Sequence, residues 1–411
     1  MPRAEGVNLL PAFGGLKTIT IFHQPDLSNH NSKNVLIIAG EASGDLHGAN
    51  LVSAMKTLAP DICFQGVGGD RMVSAGVDIL THSSEMAVVG LTEVFSKRNI
   101  IIKTYFKLRS ILKTERPDLL VLIDYPDFNI ILAGAAKKFG VPVLYYVSPQ
   151  VWASRSGRVK KISRRVDRMA VILPFEKEFY KKKGIDMPVK YVGHPLLDQV
   201  PYNLKSEYIR NEFGIGTDDP VIGLLPGSRN EEINNLLPDM IKAAEIISYT
   251  YKNLTCILPV APTISDESIS RITEGTELKI ITTNKGVYHA LKVCDLALVA
   301  SGTATLETAI MGVPMVIAYR ISPFSYRIAK WVVKVQHVGL VNLVAGEEIV
   351  PELIQDEVTP QGLADECLDI LGNEEKRTEM INRLKMVKES LGTPGASIRT
   401  ARIALEMIRG Y

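Results

Sequence analysis

The stretch "VIGLLPGSRNEEI", Val221 to Ile233, begins as an apolar strand, breaks at Pro226-Gly227 and continues through Ser228-Arg229 into a polar, helix-like run. Two readings are open. The Pro-Gly-Ser break is a turn that only reverses the chain, or it is a strand-to-helix loop whose N–H groups and one arginine await an anion. What surrounds the stretch bears on the choice.

From Lys33 onward, short apolar runs suited to buried parallel strands alternate with longer segments of helical period. Before the opening stretch the strand candidates are "VLIIAG" (35–40), "ICFQGVG" (62–68), "LLVLID" (119–124), "VPVLYYVS" (141–148) and "RMAVIL" (168–173). From it onward they are "VIGLLP" (221–226), "LTCILPV" (254–260), "LKIIT" (278–282), "DLALVAS" (295–301) and "VPMVIAY" (313–319). Helical segments fill nearly every gap, as crossovers between parallel strands require. A proline-bearing segment without a core pattern, near residues 195–220, reads as a domain boundary. The expected fold is therefore α/β, two doubly wound domains facing each other across a cleft. Residues 1–32 form an N-terminal extension expected to be poorly ordered, 33–198 the first domain, and 199–411 the second with its C-terminal helices. In such sheets ligands bind at the carboxyl ends of the strands, so motifs just after strands take priority.

Bulk properties narrow the function. A chain of 411 residues can build two cores, and a net charge of +2 argues against wholesale nucleic-acid binding. Cys63, Cys256, Cys294 and Cys367 show no metal-ligand spacing and read as buried thiols of a reducing compartment. No apolar run approaches the ~18 residues of a membrane span, and the first 32 residues lack the pattern of a signal peptide, so a cytoplasmic location is expected. G-x-G-x-x-G after the first strand, G-x-x-x-x-G-K-[ST], H-E-x-x-H, G-x-S-x-G and D-x-D are all absent. Together these absences weigh against a nicotinamide oxidoreductase, a P-loop ATPase, a zinc protease, a serine hydrolase and a metal–diphosphate site.

Four motifs follow strands. "AGEASGDLHGANLV" (39–52) opens a helix with small residues, and Glu41, Ser43 and Asp45 are candidates for meeting an anion or a sugar hydroxyl. An ordinary capped turn is the alternative. In "LIDYPDFNIILAG" (122–134), Asp124 ends an apolar strand, where a charge is costly without a task, and it is the general-base candidate; Asp127, after Pro126, reads as a first-turn acid. In the second half, Gly227, Ser228 and Arg229 place backbone donors, a hydroxyl and a guanidinium where a diphosphate could sit. "ASGTATLETAIMGVPMVIAY" (300–319) adds a second such start at Ser301, Gly302 and Thr303, with Glu307 placed to accept ribose hydroxyls. The pair points to a nucleoside diphosphate held without metal or other cofactor. Two further stretches suggest a lipid surface. "VSPQVWASRSGRVKKISRRVDR" (147–168) contributes Trp152, Arg155, Lys160 and Lys161, and an apolar–basic stretch from 86 to 109 contributes Val88 and Val89; a solvated helix face or plain core is the alternative for each.

The ordered set "AGEASGD", "GVGG", "GLTEVF", "DYPDFN", "YYVSPQVWA", "PFEKEFY", "VGHPL", "LLPGSRNEEI", "ASGTATLE" and "NLVAGEEIVPELIQ" closely resembles the lipid-A-disaccharide synthase family, from about Asn34 onward. The resemblance implies the GT-B fold, two Rossmann-like domains with the active site between them. It implies an inverting glycosyltransferase joining UDP-2,3-diacylglucosamine to 2,3-diacylglucosamine 1-phosphate (lipid X). The products are the lipid A disaccharide 1-phosphate and UDP, formed by a peripheral enzyme at the cytoplasmic face of the inner membrane. By the same resemblance Asp124 is the base, Arg229 and Glu307 bind the donor, and Asn342 lines the donor site. Where relatives often read W-A-W, this chain has Trp152-Ala153-Ser154, which bears on acyl contacts in that loop. A UDP-N-acetylglucosamine 2-epimerase-like enzyme, a glycosyltransferase with another lipid-linked acceptor, and a non-catalytic binding protein are the alternatives; whether the chain is a homodimer is left open.

Overall fold

All ten strand candidates become strands, most of them because they are apolar over four or more residues and flanked by turn or helix signals. The computed structural model describes residues 33–86, 91–153, 156–201, 203–322, 326–327 and 336–410, with the backbone alone described at 91–97 and 156. The expected extension 1–32 and the candidates Val88, Val89 and Arg155 lie outside the described residues.

The first sheet comprises β1 (Asn34–Ala39), β2 (Cys63–Gly68), β3 (Asp78–His82), β4 (Leu119–Ile123), β5 (Val143–Tyr146), β6 (Arg168–Val171) and β7 (Val189–Tyr191). Its order is β3-β2-β1-β4-β5-β6-β7 and every pairing is parallel. The second comprises β8 (Val221–Leu225), β9 (Thr255–Pro259), β10 (Lys279–Thr283), β11 (Leu296–Ala300), β12 (Met315–Tyr319) and β13 (Glu352–Ile354), in the order β10-β9-β8-β11-β12-β13, again all parallel. Strand order reverses between β1 and β4 in one sheet and between β8 and β11 in the other. These are the switch points at which open α/β sheets bind ligands.

Both faces of the first sheet are covered, which is why its central strands lack polar alternation. Along β1, Val35, Ile37 and Ala39 pack with Leu51, Val52 and Met55 of helix Ala42–Leu58. Leu36 and Ile38 face the opposite way, toward Leu108, Leu112 and Leu132. Each such aliphatic side chain contributes roughly 1.5–3 kcal/mol on burial.

The polypeptide does not divide cleanly into two sequential halves. Helix Ala396–Arg409 follows the second sheet in sequence but packs against helix 42–58 of the first. Arg168 pairs with Glu406 at 2.8 Å, Arg399 Nε donates to the Val192 carbonyl at 2.7 Å, and the Gly395 N–H donates to the Asp198 carboxylate.

Candidate functional site

Asp124 leaves β4 at the first switch point with φ 43°, and Tyr125 follows with φ 46°. Non-glycine residues seldom hold such angles, and each costs about 1–3 kcal/mol unless its surroundings enforce it. The enforcement is visible. Asn129, fully buried in the next helix (Pro126–Lys138), donates through Nδ2 to the carbonyls of Ile123 (3.2 Å) and Asp124 (2.8 Å). The Tyr145 hydroxyl donates to the Asp124 carbonyl at 2.5 Å, and the Tyr125 hydroxyl to the Met86 carbonyl at 3.0 Å. Gly40 completes the arrangement, since a Cβ there would stand 2.5 Å from Cγ of Tyr125. Burial, and then the negative charge of Glu41 at the end of β1, push the Asp124 carboxyl up to about 6. A carboxylate poised there is suited to take a proton at neutral pH. Ser43 is exposed in the first turn of the adjacent helix 42–58, and Asp127 pairs with Arg158.

At the second switch point the opening stretch proves to be strand, loop and helix. β8 ends at Leu225, and helix Asn230–Thr250 starts after Arg229, its N-cap. Gly227 has φ 114°, and a Cβ on it would meet Oε2 of Glu232 at 2.2 Å, so only glycine lets the chain pass. Glu232 was not a sequence candidate. Its Oε2 accepts from the backbone N–H of Ser228 (2.9 Å) and of Arg229 (3.2 Å), and its Oε1 lies 3.4 Å from Arg229 Nη1. The donors expected to hold an anion thus hold the chain's own carboxylate. The Arg-x-x-Glu spacing is that of a capping box with an unusual cap residue, and could have flagged it.

After β11, Ser301 donates from Oγ to the Val338 carbonyl at 2.7 Å, and Gly302 caps helix Thr303–Met311, with Thr303 exposed. Glu307, one turn in, makes no hydrogen bond or ion pair among the described residues, and burial pushes its carboxyl up to about 7.

The structure gives three candidates tasks other than ligand contact. Asp45 is 6% exposed and accepts from Gly69, Arg71 and Met72 N–H groups at 2.6–3.2 Å, capping helix Asp70–Ser74. Asn342 is fully buried and donates to the Val350 carbonyl and to Glu352 Oε1, both at 2.8 Å, while accepting from Ile349 and Val350 N–H groups. Glu352 in turn accepts from Val338 and Gly339 N–H groups. Asn342 therefore braces the loop that receives Ser301 and does not itself line an open surface. Trp152 turns inward: its indole N–H donates to Glu176 Oε1 at 3.3 Å and its ring meets Phe175 edge-on at 5.1 Å. Lys160 and Lys161 remain exposed, whereas Arg165 and Arg168 of the same basic run are engaged with the Ile130 carbonyl and Glu406.

Among the described residues no group of three or more His, Cys, Asp and Glu could hold a metal ion, and no helix is long and apolar enough to cross a membrane.

Known proteins resemble this chain in sequence and in fold. A profile described as lipid-A-disaccharide synthetase matches residues 35–404. The lipid-A-disaccharide synthase of Trichlorobacter lovleyi is 46% identical over 376 residues, covering 92% of this chain and 98% of that one. That of Geobacter sulfurreducens is 46% identical over 382 residues, covering 93% and 99%. Among solved structures, a Staphylococcus aureus MnaA–UDP co-structure matches with a TM-score of 0.63 at 14% identity, covering 92% and 97%. The calicheamicin glycosyltransferase CalG4 matches with a TM-score of 0.59 at 15% identity, covering 92% and 99%. Identities that low speak for the shared two-domain GT-B plan alone. On sequence over nine-tenths of its length, the chain belongs to the lipid-A-disaccharide synthase family, glycosyltransferases of lipid A biosynthesis.

Proposed function

We propose that this chain transfers 2,3-diacylglucosamine from UDP to the 6-hydroxyl of 2,3-diacylglucosamine 1-phosphate, with inversion at C1. One observation carries the assignment of roles: Asp124, half-buried and held at positive φ at the first switch point, with its carboxyl pushed up to about 6. In this reading Asp124 accepts the 6-hydroxyl proton as the oxygen attacks C1. The C1–O bond to the diphosphate breaks on the opposite side, and UDP departs with the electron pair.

The second half then serves the leaving group. Arg229 and the backbone N–H groups of Ser228 and Arg229 take the growing negative charge, which requires Glu232 to yield its place. Glu307, when ionised, accepts the ribose hydroxyls. No metal is assigned a part, and the cationic side chain and backbone donors carry that duty. Glu41 and Ser43 lie on the acceptor side. Exposed Lys160 and Lys161 support a peripheral seat on the anionic cytoplasmic face of the inner membrane, where acylated substrates reside.

The test is direct. Purified protein is incubated with UDP-diacylglucosamine and lipid X in the presence of a chelator, and the products are read by mass spectrometry. A disaccharide 1-phosphate with stoichiometric UDP is expected. Absence of disaccharide, or UDP release independent of lipid X, overturns the proposal.

A further inference from the structure

The sequence stretch "YYVSPQVWA" is only partly used by the roles above, yet its geometry is among the most constrained in the molecule. β5 ends at Tyr146, whose carbonyl accepts the Asp124 N–H at 3.3 Å, so the loop that follows leaves the sheet beside the proposed base. Its first residue, Val147, has φ 61°. For a β-branched side chain this is a true outlier, and such strain persists only where neighbours over-determine it.

The neighbours converge on one carboxylate. Glu176, at the start of helix Glu176–Lys182, is 1% exposed and has no cationic partner among the described residues. Its Oε2 accepts from the N–H groups of Ile172 (3.2 Å) and Leu173 (2.9 Å), where the chain leaves β6. Its Oε1 accepts from the Trp152 indole. At the other end of the loop Ser148, 4% exposed, shares a hydrogen bond with the Tyr180 hydroxyl at 2.8 Å, one helical turn from Glu176. Pro149 and Val151 are buried as well, while Gln150 between them is exposed. A charge without a counter-ion in such a place is costly, and every acceptor position in use goes to backbone or loop. The loop is thereby pinned at both ends with one amide side chain turned outward.

We propose that Glu176 is a positioning residue for the acceptor: through Trp152 it holds the loop Val147–Ala153 so that Gln150 offers its amide to the acceptor sugar beside Asp124. The inference rests on the reading of the first half as the acceptor side. It assigns Glu176 no contact with substrate. Burial pushes its carboxyl up to about 7, so the clamp is set to loosen as the pH falls below neutrality. The titratable groups that face it are the Tyr180 and Tyr191 hydroxyls, both raised by burial and uncharged in that range.

Trp152 gives the experiment its readout. The chain has two tryptophans, so Trp331→Phe leaves Trp152 as the sole indole emitter. In that full-length background, emission is followed from pH 5.5 to 8.5 with and without lipid X, and initial rates are measured while each substrate is varied in turn. Emission is expected to titrate near neutrality and to stop doing so in Glu176→Gln. The same variant is expected to raise the acceptor KM about tenfold while leaving the UDP-sugar KM within about twofold. Equal rises in both KM values, as general loosening would give, or no rise in either, overturn the inference. If Glu176→Gln does not fold, Trp152→Phe and Gln150→Ala, assayed with Trp331 intact, serve in its place; both must raise the acceptor KM selectively, and an unchanged value in either overturns it. A wild-type chain that makes no disaccharide overturns the functional reading and this inference with it. A competent wild type with an unaffected Glu176→Gln overturns this inference alone.

Discussion

The carboxylate of Glu232 accepts from the backbone N–H of Ser228 at 2.9 Å, the donor geometry a bound diphosphate oxygen requires. Under the proposed function, diphosphate and Glu232 would compete for one set of donors. Replacing Glu232 with Gln keeps an acceptor for the helix start but removes a negative charge from that junction. UDP is expected to bind about fivefold tighter, the equivalent of ~1 kcal/mol for one well-screened charge pair. Calorimetry with UDP decides it, and unchanged or weaker binding means the diphosphate sits elsewhere.

Asp124→Asn removes the proposed base without changing its size. A fall in kcat of about 10²–10⁴ is expected, with UDP affinity unaltered. Near-normal turnover removes Asp124 from the mechanism.

The pH profile carries a second check on the same residue. Because the Asp124 carboxyl sits at about 6, kcat/KM should rise with pH through that value as the base becomes ionised. Glu41 is the second contributor to that rise, by charge repulsion. In Glu41→Gln the acidic limb should move to lower pH. A limb that stays in place severs the two residues.

Burial of Glu176 and Glu307 also links stability to pH. Both carboxyls are raised to about 7 in the fold, so the folded chain holds protons that the unfolded chain has released. The stabilisation is therefore fully present below the ordinary carboxyl range and is lost as pH rises through about 7. Between pH 5 and 8 the melting temperature should fall less in Glu307→Gln than in the wild type. Parallel curves contradict the assignment.

Asn342→Ala leaves four buried hydrogen-bonding partners without their mate. A loss of roughly 2–4 kcal/mol in stability is expected, together with weaker UDP binding because the Val338–Gly339 turn loses its brace. If UDP binding is lost while the melting temperature is unchanged, Asn342 contacts the donor directly.

The central strands were legible because sheets covered on both faces demand uninterrupted apolar runs. Three edge strands, β3 (DILTH), β7 (VKY) and β13 (ELI), were missed, since a half-exposed edge needs no such run, while the fourth, β10 (KIITT), was read from its paired isoleucines. Asp124 and Arg229 stood out for a related reason, as polar residues just past buried strands, and Glu307 as an acid one turn into the helix that follows another. Asp45, Trp152 and Asn342 are engaged within the chain in ways local patterning does not announce, and for the first two the partners are remote in sequence. Asp45 meets Gly69, 24 residues on, and Trp152 meets Glu176, also 24 on. Local patterning announces that a polar residue is present, but which way it turns is decided by packing.

Helix 396–409 buries Ala401, Ile403, Ala404 and Leu405 and lies on helix 42–58, although both sheets precede it in the sequence. During synthesis the half made first is consequently finished last. A nascent chain that has completed β1 to β7 still exposes an apolar seam, and keeps it exposed until the whole second sheet has left the ribosome. The first sheet and its helices should then gain full protection against proteolysis only once helix 396–409 has been made, which couples the maturation of that half to synthesis of the one that follows it.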